Sequence, residues 1–200
     1  MHHPPLTRRS HRAAPDQAFL GGLHLARGRV HELVGPARQT LAMMVAGGMT
    51  GPVFWVLPDW AQGRPHGPGM VRFLDPGRVS FVNANRAEDI LWVLEEVLRA
   101  GVVPLVVGDL PGPPGLTPVR RMQLAAETGG GEALGLILTP EGAAQGVESR
   151  WQMVPDHDPE REAWRLARLR HRQEPPRDWA VRVKGDGFAL APPRRVDTVE

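Results

Sequence analysis

Residues 35–40, Gly-Pro-Ala-Arg-Gln-Thr, stand between a strand-like run at 29–34 and a helical run that begins near residue 37. That is the order of strand, tight loop and helix that holds a nucleotide phosphate. A working loop of this kind, GxxxxGK[ST], needs glycines so that backbone N–H groups can surround the phosphate, and a lysine to reach its outer oxygens. Here Gly35 is kept, Arg38 stands where the second glycine belongs, Gln39 replaces the lysine, and Thr40 follows. The loop is also short by about two residues against the working pattern. Arg38 carries charge, but its side chain fills the space where glycine lets the backbone approach. The chain's single lysine, Lys184, lies far along the sequence and cannot substitute. Productive ATP hydrolysis is not expected from these residues.

The remaining candidates are weaker. Asp109 ends the apolar run "VVPLVVGD", where a magnesium-holding acid of a phosphate site belongs. Without a phosphate to share the ion, the plainer reading is an acid that terminates a strand before a Pro-Gly loop. Asp156, His157 and Asp158 are adjacent, and three consecutive side chains cannot all converge on one metal ion, so a solvated turn is expected. His24 and His31 have no carboxylate or second histidine at ligand spacing, and His31 falls in or beside the first strand. The serines, Ser10, Ser80 and Ser149, lie in no GxSxG elbow. Cysteine is absent, which excludes disulfides, thiolate metal sites and a cysteine nucleophile, and fits a reducing compartment. No metal or cofactor is expected.

Strand-like and helix-like runs alternate from Gly28 onward and would carry these residues. Strands are expected at "RVHELV", "PVFWVLP", "RVSFVN", "VVPLVVGD" and "ALGLILT", with helices near 37–46, over 86–100 and over 118–128. Such alternation argues for an α/β fold, a mostly parallel sheet with flanking helices. In the helix at 86–100, Asn85 is a candidate cap with Glu88 three residues on, Ile90, Leu91, Leu94, Val97 and Leu98 form an apolar stripe, and Gly101 ends it. Thr117 and Pro118 suit the cap and first position of the next helix. After Thr139 the pattern changes to "SRWQMVP", "AWRLARLRHR" and "WAVRVKGDGFAL", expected as a C-terminal antiparallel extension of one sheet edge, although "WRLARLRHR" has mixed period. Residues 1–18 have no periodicity and are expected as a mobile tail, and 191–200 as a second tail, around one domain at 19–190.

With 200 residues and 42% hydrophobic content, the chain suits one α/β core. The net charge is only +2 although the pI is 10.2, because the 24 cationic residues are all arginine except Lys184 and tyrosine and cysteine are absent. Charge is uneven: from Arg161 to Lys184 eight cations face three acids. Arg165, Arg168, Arg170 and Arg172 therefore become candidates for weak, sequence-independent DNA contact. Arg120 and Arg121 near the start of a helix oppose its dipole, and a pairing with Glu127, Asp109 or another protein would offset them. Trp92 has Glu88, Glu95 and Glu96 three and four residues away, so it is either a boundary residue under a neighbouring loop or an exposed anchor for a partner. No run approaches the length of a membrane-spanning helix, and the twin arginine at 8–9 is not followed by an apolar stretch. A cytoplasmic location with no membrane contact is expected.

The run "GGLHLARGRVHELVGP" at 21–36 resembles the entry to the RecA core, in which a Gly-Gly turn and a Gly-Arg step lead to the first strand and a Gly-Pro precedes the phosphate loop. Together with "FWVLP", "DILWVLEEVLRAG", "VVGDL", "LTPVRRMQLAAETGG" and "SRWQM", it makes the chain resemble the ImuA family, small RecA/SulA-like proteins of bacterial mutagenesis cassettes, over residues 20–190. The resemblance implies a RecA-like domain and a non-enzymatic role in SOS-induced, error-prone translesion DNA synthesis. It also implies as partners an ImuB-type, Y-family polymerase-like protein and, with it, a C-family error-prone DNA polymerase. The positions matching RecA's two DNA-gripping loops, 110–116 and 139–148, contain no Arg, Lys or aromatic residue. Two alternatives stay open: a SulA-like inhibitor of cell division that binds FtsZ, and a residual nucleotide-binding ATPase or sensor.

Overall fold

The computed structural model describes residues 16–61 and 63–192. Its nine-stranded sheet has β3 (Val30–Val34), β4 (Val53–Pro58), β5 (Val79–Ala84), β6 (Leu105–Asp109) and β7 (Leu134–Thr139) at the expected apolar runs. Beyond β3 lie β8 (Ser149–Pro155), β9 (Ala163–His171), β10 (Arg177–Lys184) and β11 (Gly187–Ala191), in the spatial order β11-β10-β9-β8-β3-β7-β6-β4-β5. Every pairing from β8 through to β5 is parallel, and those from β8 out to β11 are antiparallel. The fold is therefore α/β, mostly parallel, with an antiparallel extension.

One strand corrects the sequence expectation. β8 carries "SRWQMVP" and pairs parallel to β3, with Glu32 beside Arg150 and Val34 beside Gln152. Residues 140–148 carry the chain past β3 before it re-enters the sheet, and a crossover of that kind returns a strand in the same direction. The antiparallel part begins only at β9.

Helices sit on both faces. α1 (Arg38–Gly47) packs Leu41, Met44 and Val45 with Trp55, Leu136, Trp151, Leu166 and Trp179 in one apolar cluster. α3 (Ala87–Ala100) and α4 (Leu116–Thr128) pack Ile90, Leu94, Leu98, Val119 and Met122 with Val30, Val56, Val106 and Ile137 in another. Period-two alternation sends neighbouring residues of one strand into different clusters, as Val106 and Val107 show. α2 (Gly67–Met70) is a single turn after β4. No helix among the described residues is long and apolar enough to cross a membrane.

Both expected caps shift. α3 begins at Ala87 with Arg86 as the flanking residue, and instead of an Asn85 cap the Arg86 guanidinium pairs with Asp89 in the first turn. α4 begins at Leu116 after Gly115, two residues ahead of Pro118, and no side chain caps it. Gly101 does end α3: its φ is 66°, its N–H reaches the Val97 carbonyl, and a Cβ there would lie 2.0 Å from the Gly129 oxygen.

The domain edges move as well. Asp16–Ala18, expected as the end of the tail, forms β1 and pairs antiparallel with β2 (His24–Ala26). Ala191, expected as the start of the C-terminal tail, closes β11 opposite Ala180. The rest of both expected tails, 1–15 and 193–200, lies outside the described residues.

Candidate functional site

The loop after β3 folds down onto its neighbour instead of opening outward. Gly35 has φ 90°, and a Cβ on it would lie 2.6 Å from the Met153 carbonyl oxygen on β8, so only glycine fits. Two amides that would face a phosphate are bonded inside the protein. The Ala37 N–H donates to the Met153 carbonyl at 3.1 Å and the Arg38 N–H to the Gly35 carbonyl at 3.2 Å.

The side chains complete the closure. Gln39, in the first turn of α1, donates its amide to a carboxylate oxygen of Asp109 at 2.6 Å, reaching across the end of β7 to the end of β6. Arg38 folds back to the Gly35 carbonyl at 3.3 Å and lies 3.7 Å from the other Asp109 oxygen. Thr40 is half-buried. Asp109 is buried, and burial raises its pKa above the usual carboxylate value although the Gln39 hydrogen bond and the Arg38 charge act against that shift. The chemistry left is structural: a neutral amide and a guanidinium hold one buried acid and join α1 to β6. The structure thus gathers Gly35, Arg38, Gln39 and Asp109 at one place.

The other expected residues lie elsewhere. Trp92 stands on the outer side of α3 and is 60% exposed, so it is not covered by a loop. Arg121 pairs at 2.8 Å with Glu95, a buried acid on α3 that Arg99 also holds, while Arg120 is exposed and makes no salt bridge among the described residues. Because α4 starts at Leu116, both arginines sit past its first turn, where the dipole has largely faded.

Arg168 requires a correction. It is buried rather than available to DNA, with its guanidinium 5.6 Å from the Trp151 ring centroid and 5.5 Å from that of Trp179. It donates twice to the Pro175 carbonyl, at 3.0 and 3.1 Å, and pairs with Glu174. Arg172 lies 3.4 Å from Glu148, and Arg165 and Arg170 are exposed. The mixed period of "WRLARLRHR" has its cause here, since an arginine points inward and the β8–β9 register shifts at Arg150/Trp151.

Two buried polar groups were not singled out as a pair from the sequence. Glu32 lies fully buried, accepting from the Thr139 hydroxyl at 2.6 Å, the Ala144 N–H at 3.2 Å and Arg150. His31 is also fully buried, with Nδ1 2.6 Å from the Ser149 hydroxyl and Nε2 3.0 Å from the Ala26 carbonyl, and the Trp151 indole N–H donates to the same hydroxyl. Burial lowers the His31 pKa to about 4. The signal was the adjacent polar pair His-Glu inside the strand-like run "RVHELV". In the 156–158 turn, His157 accepts from the Ala163 N–H while Asp158 pairs with Arg161.

Fold and site together define an α/β protein with helices on both faces of a mostly parallel sheet and a closed loop at the carboxyl end of β3. No protein-family model matches the chain, and no curated protein matches it either.

Proposed function

We propose that this chain is a RecA-like, non-catalytic accessory protein of error-prone translesion DNA synthesis, of the ImuA type. It acts by contact with an ImuB-type, Y-family polymerase-like protein and, through it, with a C-family error-prone DNA polymerase. The observation that supports a non-catalytic role is the closure of the loop: Gln39 occupies Asp109, and the Ala37 and Arg38 amides are bonded internally. Phosphoryl transfer needs those amides and a cation free for the phosphate, with the acid free for magnesium. The RecA likeness rests on the order of the sequence motifs and is compatible with the parallel sheet and the place of Gly35 and Asp109 at strand ends.

Co-purification from a DNA-damaged bacterial host tests the reading. Recovery of a Y-family polymerase-like protein supports it, and recovery of FtsZ in its place supports a division inhibitor. The purified protein is expected to show no DNA-stimulated ATP hydrolysis. A hydrolysis rate that Asp109→Ala abolishes would make the chain an ATPase instead.

A further inference from the structure

The two apolar clusters cover the sheet unequally. Trp151, Met153, Trp164, Leu166, Trp179 and Val181 all join the cluster beneath α1, whereas no residue of β8–β11 joins the cluster beneath α3 and α4. One face of the antiparallel extension therefore has no apolar cover among the described residues. Register fixes what stands on it. Arg165 lies between Val154 and Ala180, Arg182 lies opposite Ala163, and Ala167 lies between Gln152 and Asp178. Lys184 follows Arg182 on the same side by strand alternation.

This face is thus a floor of Ala163, Ala167 and Ala180 beneath Arg165, Arg182 and Lys184. Asp178 is the one acid in those rows of the described strands, and none of the three cations makes a salt bridge among the described residues. Arg165 and Arg182 are diagonal neighbours on adjacent strands, about 7–8 Å apart at the backbone, and Lys184 is about 7 Å further along β10. Protein interfaces are anchored by aromatic and other large side chains in pockets. Here the apolar residues around the three cations are alanines and one valine, with half-exposed Leu169 further along β9, and no aromatic side chain offers a platform on which a base could stack. Spaced, unpaired cations over small side chains suit a repeating anion contacted through its phosphates alone.

We infer that the open face of β8–β10 seats the phosphate backbone of a nucleic acid, without base readout, through Arg165, Arg182 and Lys184. The inference does not depend on the translesion role or on the polymerase partner. It is tested by fluorescence anisotropy of a short labelled DNA duplex with the full chain, between about 50 and 200 mM salt. Three contacts give a log–log salt slope of about −3, because each neutralised phosphate contributes about 0.9. Arg165→Glu with Arg182→Glu is expected to weaken binding at least about tenfold at low salt and to flatten the slope by about 2. Arg64→Glu with Arg86→Glu, an equal charge change near the opposite sheet edge, should leave the slope unchanged. Asp178→Asn should tighten binding several-fold, which keeps the inference testable if the double reversal fails to fold. Equal weakening by the control pair, no measurable binding at low salt, or displacement of the duplex by polyglutamate at matched charge would each overturn it, the last in favour of an acidic protein partner.

Discussion

His31 and Glu32 are adjacent in one strand, both fully buried, and differently held. Glu32 stays in place because a hydroxyl, an amide and a guanidinium converge on its two oxygens. His31 meets only neutral groups: a carbonyl that takes the Nε2 proton and a serine hydroxyl that donates to Nδ1. Protonation would put a charge among uncharged partners and replace the Nδ1 acceptor with a donor facing the serine oxygen. The folded pKa of about 4 lies below the ordinary 6.5, so the unfolded chain binds the proton more readily. Stability from this residue is complete above about 6.5, falls as the pH drops through the interval, and is lost by about 4, a change of about 3 kcal/mol. Urea unfolding between pH 7 and pH 4 should show that decline, and His31→Gln should flatten it. An unchanged slope in the variant would place the acid sensitivity elsewhere. Asp109 tilts stability the other way: its raised pKa means the folded state binds protons more readily just above the normal carboxylate range, so stability falls as pH rises there. Position told part of this in advance. Gly35, Arg38, Gln39 and Asp109 could be singled out from spacing alone, but the Gln39–Asp109 bond could not, because it spans 70 residues and depends on strand order.

Among the elements, α3 was legible in its stripe and its end and not in its beginning. Ile90, Leu94 and Leu98 are buried and Gly101 stops the helix, as periodicity and glycine require, but Arg86 and Asp89 open it with an exposed ion pair that no capping pattern announces. The burial of Glu95 was only half visible, since one partner, Arg99, is four residues on in the same helix but the other, Arg121, belongs to α4. On the outer side of α3, Trp92 has little packing to lose and a large apolar area to offer. Trp92→Ala should shift the melting temperature by no more than a surface change does, and weaken capture of the polymerase-like partner by about 2 kcal/mol or more. Calorimetric melting and a binding titration, run side by side, check the two halves, and unchanged affinity would move the contact away from α3. Arg168 is the opposite case. In β9 its guanidinium lies against both rings of the stacked Trp151–Trp179 pair, so Arg168→Met removes the bonds to the Pro175 carbonyl and the charge beside two rings while keeping an aliphatic stem. A loss of about 2 kcal/mol in unfolding free energy is expected from urea titration. A near-neutral result would mean the guanidinium adds no stability over an apolar filler.

At the scale of the whole molecule, the question is whether the antiparallel extension is a module or part of one core. Its sequence looks separate, with basic residues, tryptophans and a change of period after Thr139, and this made the parallel pairing of β8 illegible. Its packing is continuous with the rest. Trp151, Trp164 and Trp179 share one apolar cluster with Leu41 and Met44 of α1 and with Trp55 of β4, and Phe19 stands edge-on to Trp151 at 5.4 Å. β8 is bonded to β3 on one side and β9 on the other, so the sheet has no seam at which the extension could peel away while each part kept its core. Such a molecule should unfold in one cooperative step. Two reporters weight the two parts differently, because three of the four buried tryptophans stand on β8–β10, strands without a helix among them, with the fourth, Trp55, on β4, while α1, α3 and α4 belong to the parallel part. In Trp92→Phe, which removes one exposed indole, tryptophan fluorescence and the helical circular-dichroism signal should trace the same urea transition, with the same midpoint and slope. Fluorescence changing ahead of the helix signal would mean that β9–β11 open as a unit of lower stability, and the shared cluster would then have to be weaker than its burial implies.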